Sequence, residues 1–210
     1  MKRTLRTVEG ALKSLYAIDT PYRAEDFILR KQREDLKHLE GALCVRSGET
    51  VEVGIHLSPP VKKTATHLPL KRPVTEWTFE QLNAFSIVTE EVSHFHYFLF
   101  QSHQGRPVSQ LELELQGEID RFLLCLLSVA TPEKDFDNLI DRLFDHYRLR
   151  DHVNAEQAAR YEEANTLAKN FLLKHLKRIS QHRDHEAMLR LLRRYYRLAS
   201  SEKLALASSK

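Results

Sequence analysis

The chain is poor in the residues that build most recognisable sites. It has two cysteines, two methionines, one tryptophan and six glycines in 210 residues. Cys44 and Cys125 stand alone in apolar surroundings, which reads as two small buried hydrophobes rather than a bridge or a metal pair, and implies a reducing, cytoplasmic compartment. With so little glycine there is no phosphate-cradling glycine loop and no Gly-x-Ser-x-Gly elbow, and paired Cys-x-x-Cys is absent too. The longest strongly apolar run, Phe122 to Ala130, falls well short of the roughly 20 residues that cross a bilayer. The opening MKRTLRTVEG has the charge of a signal peptide's first region, but acidic and polar residues follow where an apolar region is required, so neither export nor a membrane partner is implied.

What the chain does contain is enough apolar material to fold. Hydrophobic residues make up 42% and charged residues 29%, a globular balance that excludes wholesale disorder, and the length suits one core. The net charge of +3 hides an asymmetry. Beyond residue 170 there are ten Lys or Arg against three Asp or Glu, so that segment carries +7 and the remainder −4.

Leu5, Val8, Leu12 and Leu15 recur at helical spacing, with Thr4 as a nearby cap and Pro21 as the stop. The helix-forming residues Ala24 to Glu40, closed by Gly41, predict a second helix. Val51, Val53, Ile55 and Leu57 alternate with Glu52, Gly54, His56 and Ser58, a half-buried strand that Ser47-Gly48 turns back from a partner at Leu43 to Val45. Four prolines, at 59, 60, 69 and 73, make residues 59 to 74 a connector, extended in part. Everything after it reads as helix. Thr78 with Gln81, Ser109 with Glu112 and Asn154 with Gln157 have capping-box spacing; Thr131-Pro132-Glu133, Asp184 and Ser200 mark further starts. Phe136, Leu139, Ile140, Leu143, Phe144 and Tyr147 form one buried face. The predicted fold is a single α+β, predominantly α, domain over residues 1–210. A small N-terminal hairpin (1–58) and a connector (59–77) adjoin a bundle of about five helices (78–207).

The stretch EEVSHFHYFLF, Glu90 to Phe100, puts acids and histidines where burial is expected. Gly105 and Pro107 turn its helix back on the next, and a symmetric hairpin sets His94 level with Gln116 to Glu118, and Glu91 level with Asp120 and Arg121. Gly117 costs about 1 kcal/mol inside a helix, and close approach by His94 or Tyr97 would explain it. The expectation is a polar seam of Glu91, His94, Glu114, Glu118, Asp120 and Arg121 that fixes register or holds a small ligand.

Three functional readings follow. The leading one is a cytoplasmic binding or interaction protein, its partner a protein or small ligand, because no catalytic constellation is complete. It needs no cofactor. The second is a metal-dependent enzyme holding iron, manganese or zinc on Glu91, His94, Glu114 and Glu118; Glu91-x-x-His94 has the ferritin-like spacing, although no second copy faces it. The third is nucleic-acid binding through an anion-binding stripe of Arg190, Arg194 and Arg197, with Arg194 and Arg197 alternatively turned inward onto the acidic seam. Two apparent motifs fail: His185-Glu186-Ala-Met-Leu189 lacks the second zinc-binding histidine, and His182-Arg183-Asp184 has none of the glycine loop or strand lysine of a kinase.

EEVSHFHYFLF, LELELQGEID and RRYYRLASSEKLAL together resemble an uncharacterised family of bacterial proteins with a Ser-His-Phe segment, a Leu-Glu-Leu-Glu-Leu-Gln-x-Glu segment and a Tyr-Arg-Leu segment near the end. The resemblance spans about residues 10 to 205 and implies a bacterial cytoplasmic source. It places His94, Glu112, Glu114 and Glu118 in the most recognisable segments, and transfers no role.

Overall fold

A computed structural model describes residues 1–30, 33–48, 50–128, 132–146 and 154–208. Helix α1 (Lys2–Tyr16) buries Leu5, Val8, Leu12 and Leu15 along one stripe. It begins before Thr4, whose hydroxyl is therefore no cap and donates instead to the Ala65 carbonyl at 2.6 Å.

The helix expected over Ala24 to Glu40 is not formed. Single 3₁₀ turns stand at Ala24–Phe27 and Glu34–Leu36, and Ile28 is extended. The reason is a better offer from the sheet. Ile28 bridges Ile55 in parallel, the Leu29 amide donates to the Ile55 carbonyl at 2.8 Å, and Lys62 takes the Leu29 carbonyl. Leu29 also packs where a Cβ on Gly54 would stand, 2.7 Å away. Strands β1 (Gly41–Ser47) and β2 (Val51–Leu57) pair antiparallel, with Leu43 opposite Ile55 and Val45 opposite Val53. The alternation expected of β2 is absent, for at the tip Val51 and Glu52 are both exposed and Val53 is half-buried. At the base Ile55, His56 and Leu57 are all buried, because the next helices cover both faces. Gly41, expected to end a helix, opens β1 instead.

The proline connector contains a helix, α2 (Pro59–Thr66). Prolines in a first turn lose nothing, since those amides have no helical partner, and Ser58 accepts from the Val61 amide. Helix α3 (Phe79–His103) starts at the Thr78/Gln81 capping box, and Gly105 at φ +66° reverses the chain into α4 (Gln110–Ser128), started by Ser109 and Glu112. Helix α5 (Pro132–Ile140) runs into a π turn at Asp141–Asp145. Thr131 and Tyr147 lie outside the described residues. Helix α6 (Ala155–Phe171), boxed by Asn154 and Gln157, leads through a second π turn at Leu172–Leu176 into α7 (Lys177–Gln181), α8 (His185–Tyr196) and α9 (Ser200–Ser208).

The chain is thus α+β and predominantly helical, with α3 at its centre: α1, α2, α4 and the hairpin all pack on it. Glu91 to Tyr97 are buried without a break, about two turns of helix with no solvent face. No described helix is long and apolar enough to cross a membrane.

Candidate functional site

Because α3 is enclosed, each polar group in it needs a partner from a neighbouring element. Three clusters result. The first surrounds His94. Its Nδ1 lies 3.7 Å from Glu91 Oε2 and its Nε2 3.6 Å from Glu114 Oε2 on α4, with Arg160 Nε of α6 3.9 Å from the other Glu114 oxygen. A Cβ on Gly117 would stand 3.0 Å from His94 Nε2 and 3.2 Å from Glu90 Cγ, so this glycine gives the imidazole its room. Gly41 does the same for Glu91, whose Oε1 is 2.7 Å from where a Cβ would be. Burial by itself would lower the His94 pKa, but the flanking carboxylates, Glu91 first and then Glu114, outweigh it and hold the imidazolium to about 9. Burial pushes Glu114 upward, against His94 and Arg160.

The second cluster is Asp120. Its Oδ1 accepts from the Tyr16 hydroxyl and from Gln116 Nε2 at 2.9 Å, and its Oδ2 from the Ser93 hydroxyl at 2.6 Å. Lys203 Nζ of α9 donates to Gln116 Oε1 at 2.6 Å and sits over the rings of Tyr97, Tyr195 and Tyr196 at 4.0, 4.8 and 5.7 Å. Tyr16 stacks on Tyr196, and the Tyr97 hydroxyl donates to Glu112. Lys203 is 0% exposed, and desolvation takes its pKa down to about 7 in spite of Asp120 and Glu112. Desolvation likewise raises Asp120 to about 6 against its hydrogen bonds and Lys203. No member of this network exceeds 3% exposure; it joins five helices, α1, α3, α4, α8 and α9, and is closed to reagents.

Third, Glu9 of α1 lies 3.2 Å from His96 Nε2 and 2.9 Å from Lys13 Nζ. Burial drives the His96 pKa down to about 4, more strongly than Glu9 raises it. Two histidines two residues apart are therefore held in opposite protonation states.

The one cluster with an outlet is the first. A cleft of about 640 Å³ opens between α3, α4 and the 141–145 turn, and Glu90 lines it together with Ser86, Glu118, Arg121, Arg142 and Tyr161. Arg121 donates to Glu118 and to the Leu143 carbonyl, and Arg142 to the carbonyls of Val74 and Trp77, so the basic walls are fixed. Phe79 stands 82% exposed at its edge.

The expected seam is thus divided. Glu91, His94 and Glu114 come together; Glu118 and Arg121 pair at the cleft; Asp120 belongs to the Lys203 network and meets Ser93 rather than Glu91. Of the metal quartet expected from sequence, Glu91 and His94 have donor atoms inside a 4.8 Å span, and the third member of that group is Glu90 rather than Glu114 or Glu118.

The arginine stripe is also largely committed. Arg190 pairs with Glu186, and Arg197 donates to the Ala17 carbonyl at the end of α1 while covering Phe100. Arg193 takes the Leu15 and Ser14 carbonyls. Cations at carbonyl ends satisfy orphan acceptors, which accounts for their position. Arg194 remains on the surface. Among the described residues, Arg160 and Lys203 are inward-facing cations that the sequence did not single out. Tyr16, Ser93, Gln116, His96 and Glu9 were missed as well. Their only local signal is polarity at a position in phase with buried neighbours.

Compared with protein-family models, curated proteins and solved structures, the chain matches none.

Proposed function

We propose that the protein is a binding protein that takes up a small polar ligand in the cleft between α3, α4 and the 141–145 turn. The observation that carries this reading is the cleft itself. About 640 Å³ is in the range of small-molecule sites, and its charged walls are pre-set by Arg121 and Arg142, whose guanidiniums are tied to backbone carbonyls. Fixed polar groups spend little ordering entropy when a ligand arrives. No reaction is assigned. A reducing, cytoplasmic setting fits Cys44 and Cys125, both free thiols.

The test is a thermal-shift screen of small polar metabolites, repeated on Asn83→Trp, which fills the cleft from its wall. Ligands that stabilise the parent and not this variant support the proposal; ligands that stabilise both bind elsewhere. Nothing in the arginine positions favours the nucleic-acid reading over this one.

A further inference from the structure

We propose that Glu90, Glu91 and His94, with Glu114, form a site for one divalent first-row transition ion of the manganese, iron or zinc kind, entered from the cleft. It does not depend on which ligand the cleft takes.

Convergence without contact is the first argument. Donor atoms of Glu90, Glu91 and His94 lie within 4.8 Å of one another, yet the imidazole stays 3.7 Å from Glu91 and 3.6 Å from Glu114. Those separations exceed the roughly 2.7–3.2 Å of a good hydrogen bond. His94 is 6% exposed, and its Nε2 faces Glu114 at ion-pair range but has no hydrogen-bond partner. Such an orphan is costly in an enclosed helix and asks for an explanation. Gly117, lacking a Cβ, brings α4 close to that nitrogen without a side chain of its own in contact with it.

Donor chemistry is the second argument. Among the described residues, three carboxylates stand close to one imidazole. Carboxylate oxygens with one imidazole suit manganese, iron or zinc among the common ions. Placing two acids and a histidine on one helix is also economical: Glu91 and His94 are three apart and share a face, while Glu90 and Glu114 approach from the cleft side and from α4. Glu90 is half-buried and lines the cleft, which supplies the ion's route. The Asp120 network has no such route, and Lys203 stands beside it.

The experiment uses the full chain stripped with chelator. MnCl2 is added while free Mn²⁺ is followed by electron paramagnetic resonance, and ZnCl2 binding is followed by calorimetry. One ion per chain is expected, with affinity reduced about 10- to 100-fold in Glu91→Gln and at least as much in His94→Gln. Glu186→Gln, an exposed acid far along the chain on α8, should leave affinity unchanged. Should a variant fail to fold, the parent protein decides: bound Mn²⁺ must broaden the amide signals of residues 90–94 and 114–117 before any others. No stoichiometric uptake of either ion at millimolar concentration, uptake undiminished in a folded His94→Gln, or broadening centred elsewhere would each overturn the proposal.

Discussion

Replacing Lys203 with Met tests the reasoning about the Asp120 network most directly. Lys203 is wholly enclosed, with one hydrogen bond to Gln116 and three tyrosine rings around its ammonium. In the unfolded chain its pKa is about 10.4, and in the folded protein desolvation brings it to about 7. Below pH 7 both states carry the proton and the folded state bears the whole cost of burying it. Between pH 7 and about 10 the unfolded chain binds more proton than the folded one, so stability must rise with pH by up to about 1.4 kcal/mol per pH unit. From pH 7 to 9.5 this accumulates to roughly 3 kcal/mol. Above that range the tyrosines reverse the trend, since burial raises the pKa of Tyr16, Tyr97, Tyr195 and Tyr196 and their ionisation favours unfolding.

In Lys203→Met the rise should vanish. Other groups titrate in both proteins and cancel in the difference. Near pH 7 the variant should be within about 1–2 kcal/mol of the parent, because removing a buried charge offsets the loss incurred when Gln116 Oε1 loses its donor. Urea midpoints at several pH values between 6.5 and 9.5 give both curves. If they run parallel, Lys203 keeps an ordinary pKa, and the enclosure described for it is wrong.

The glycines on either side of the His94 cluster predict a ranking. Gly117→Ala gains about 1 kcal/mol of helix propensity but sets a methyl 3.0 Å from His94 Nε2, so denaturant unfolding should show no net gain or a loss of about 1–2 kcal/mol. Gly41→Ala, with two contacts at 2.7 Å, should cost more; a stabilised Gly117→Ala protein would mean that α3 and α4 are farther apart than described. Arg193→Ala with Arg197→Ala should lower stability by roughly 1–3 kcal/mol through the orphaned carbonyls of Ser14, Leu15 and Ala17, and hydrogen exchange should accelerate first at the end of α1. Unchanged exchange there would free these arginines for another role.

Sequence reasoning did best where the deciding partners are near in the chain. The Thr78, Ser109 and Asn154 boxes involve residues three apart, and the turn at Gly105 sets α3 against α4 so directly that His94 does lie over Gly117. It failed where a distant partner outbid a local preference. Residues 24–40 carry helix-forming side chains, but the Leu29 amide is claimed by Ile55. Prolines 59 and 60 read as breakers in the sequence, yet a first turn accommodates them. Lys203 lies in SSEKLAL, which looks like any solvated helix end; only the arrival of α9 between Tyr97 and Gln116 makes it a buried cation. Arg160 likewise acquires its meaning from Glu114, on another helix. Charge counts show how much is present, not which groups face inward.

The clamp between α8 and α1 bears on the order of events during synthesis. Arg193 grips carbonyls 178 and 179 residues earlier, and the Tyr16 hydroxyl reaches Asp120 across 104 positions. Until α8 leaves the ribosome, the apolar stripe of α1 can pack on α3 and Tyr16 can reach Asp120, but the terminal carbonyls of α1 have no lasting partner. Contacts of such separation close slowly, because the intervening chain must be ordered first. Helix α1, made before the helices it packs on, is therefore among the last to be locked. A nascent chain halted before residue 193 would carry α1 packed on α3 with its terminal carbonyls uncapped, so that end would fray and exchange until α8 is complete.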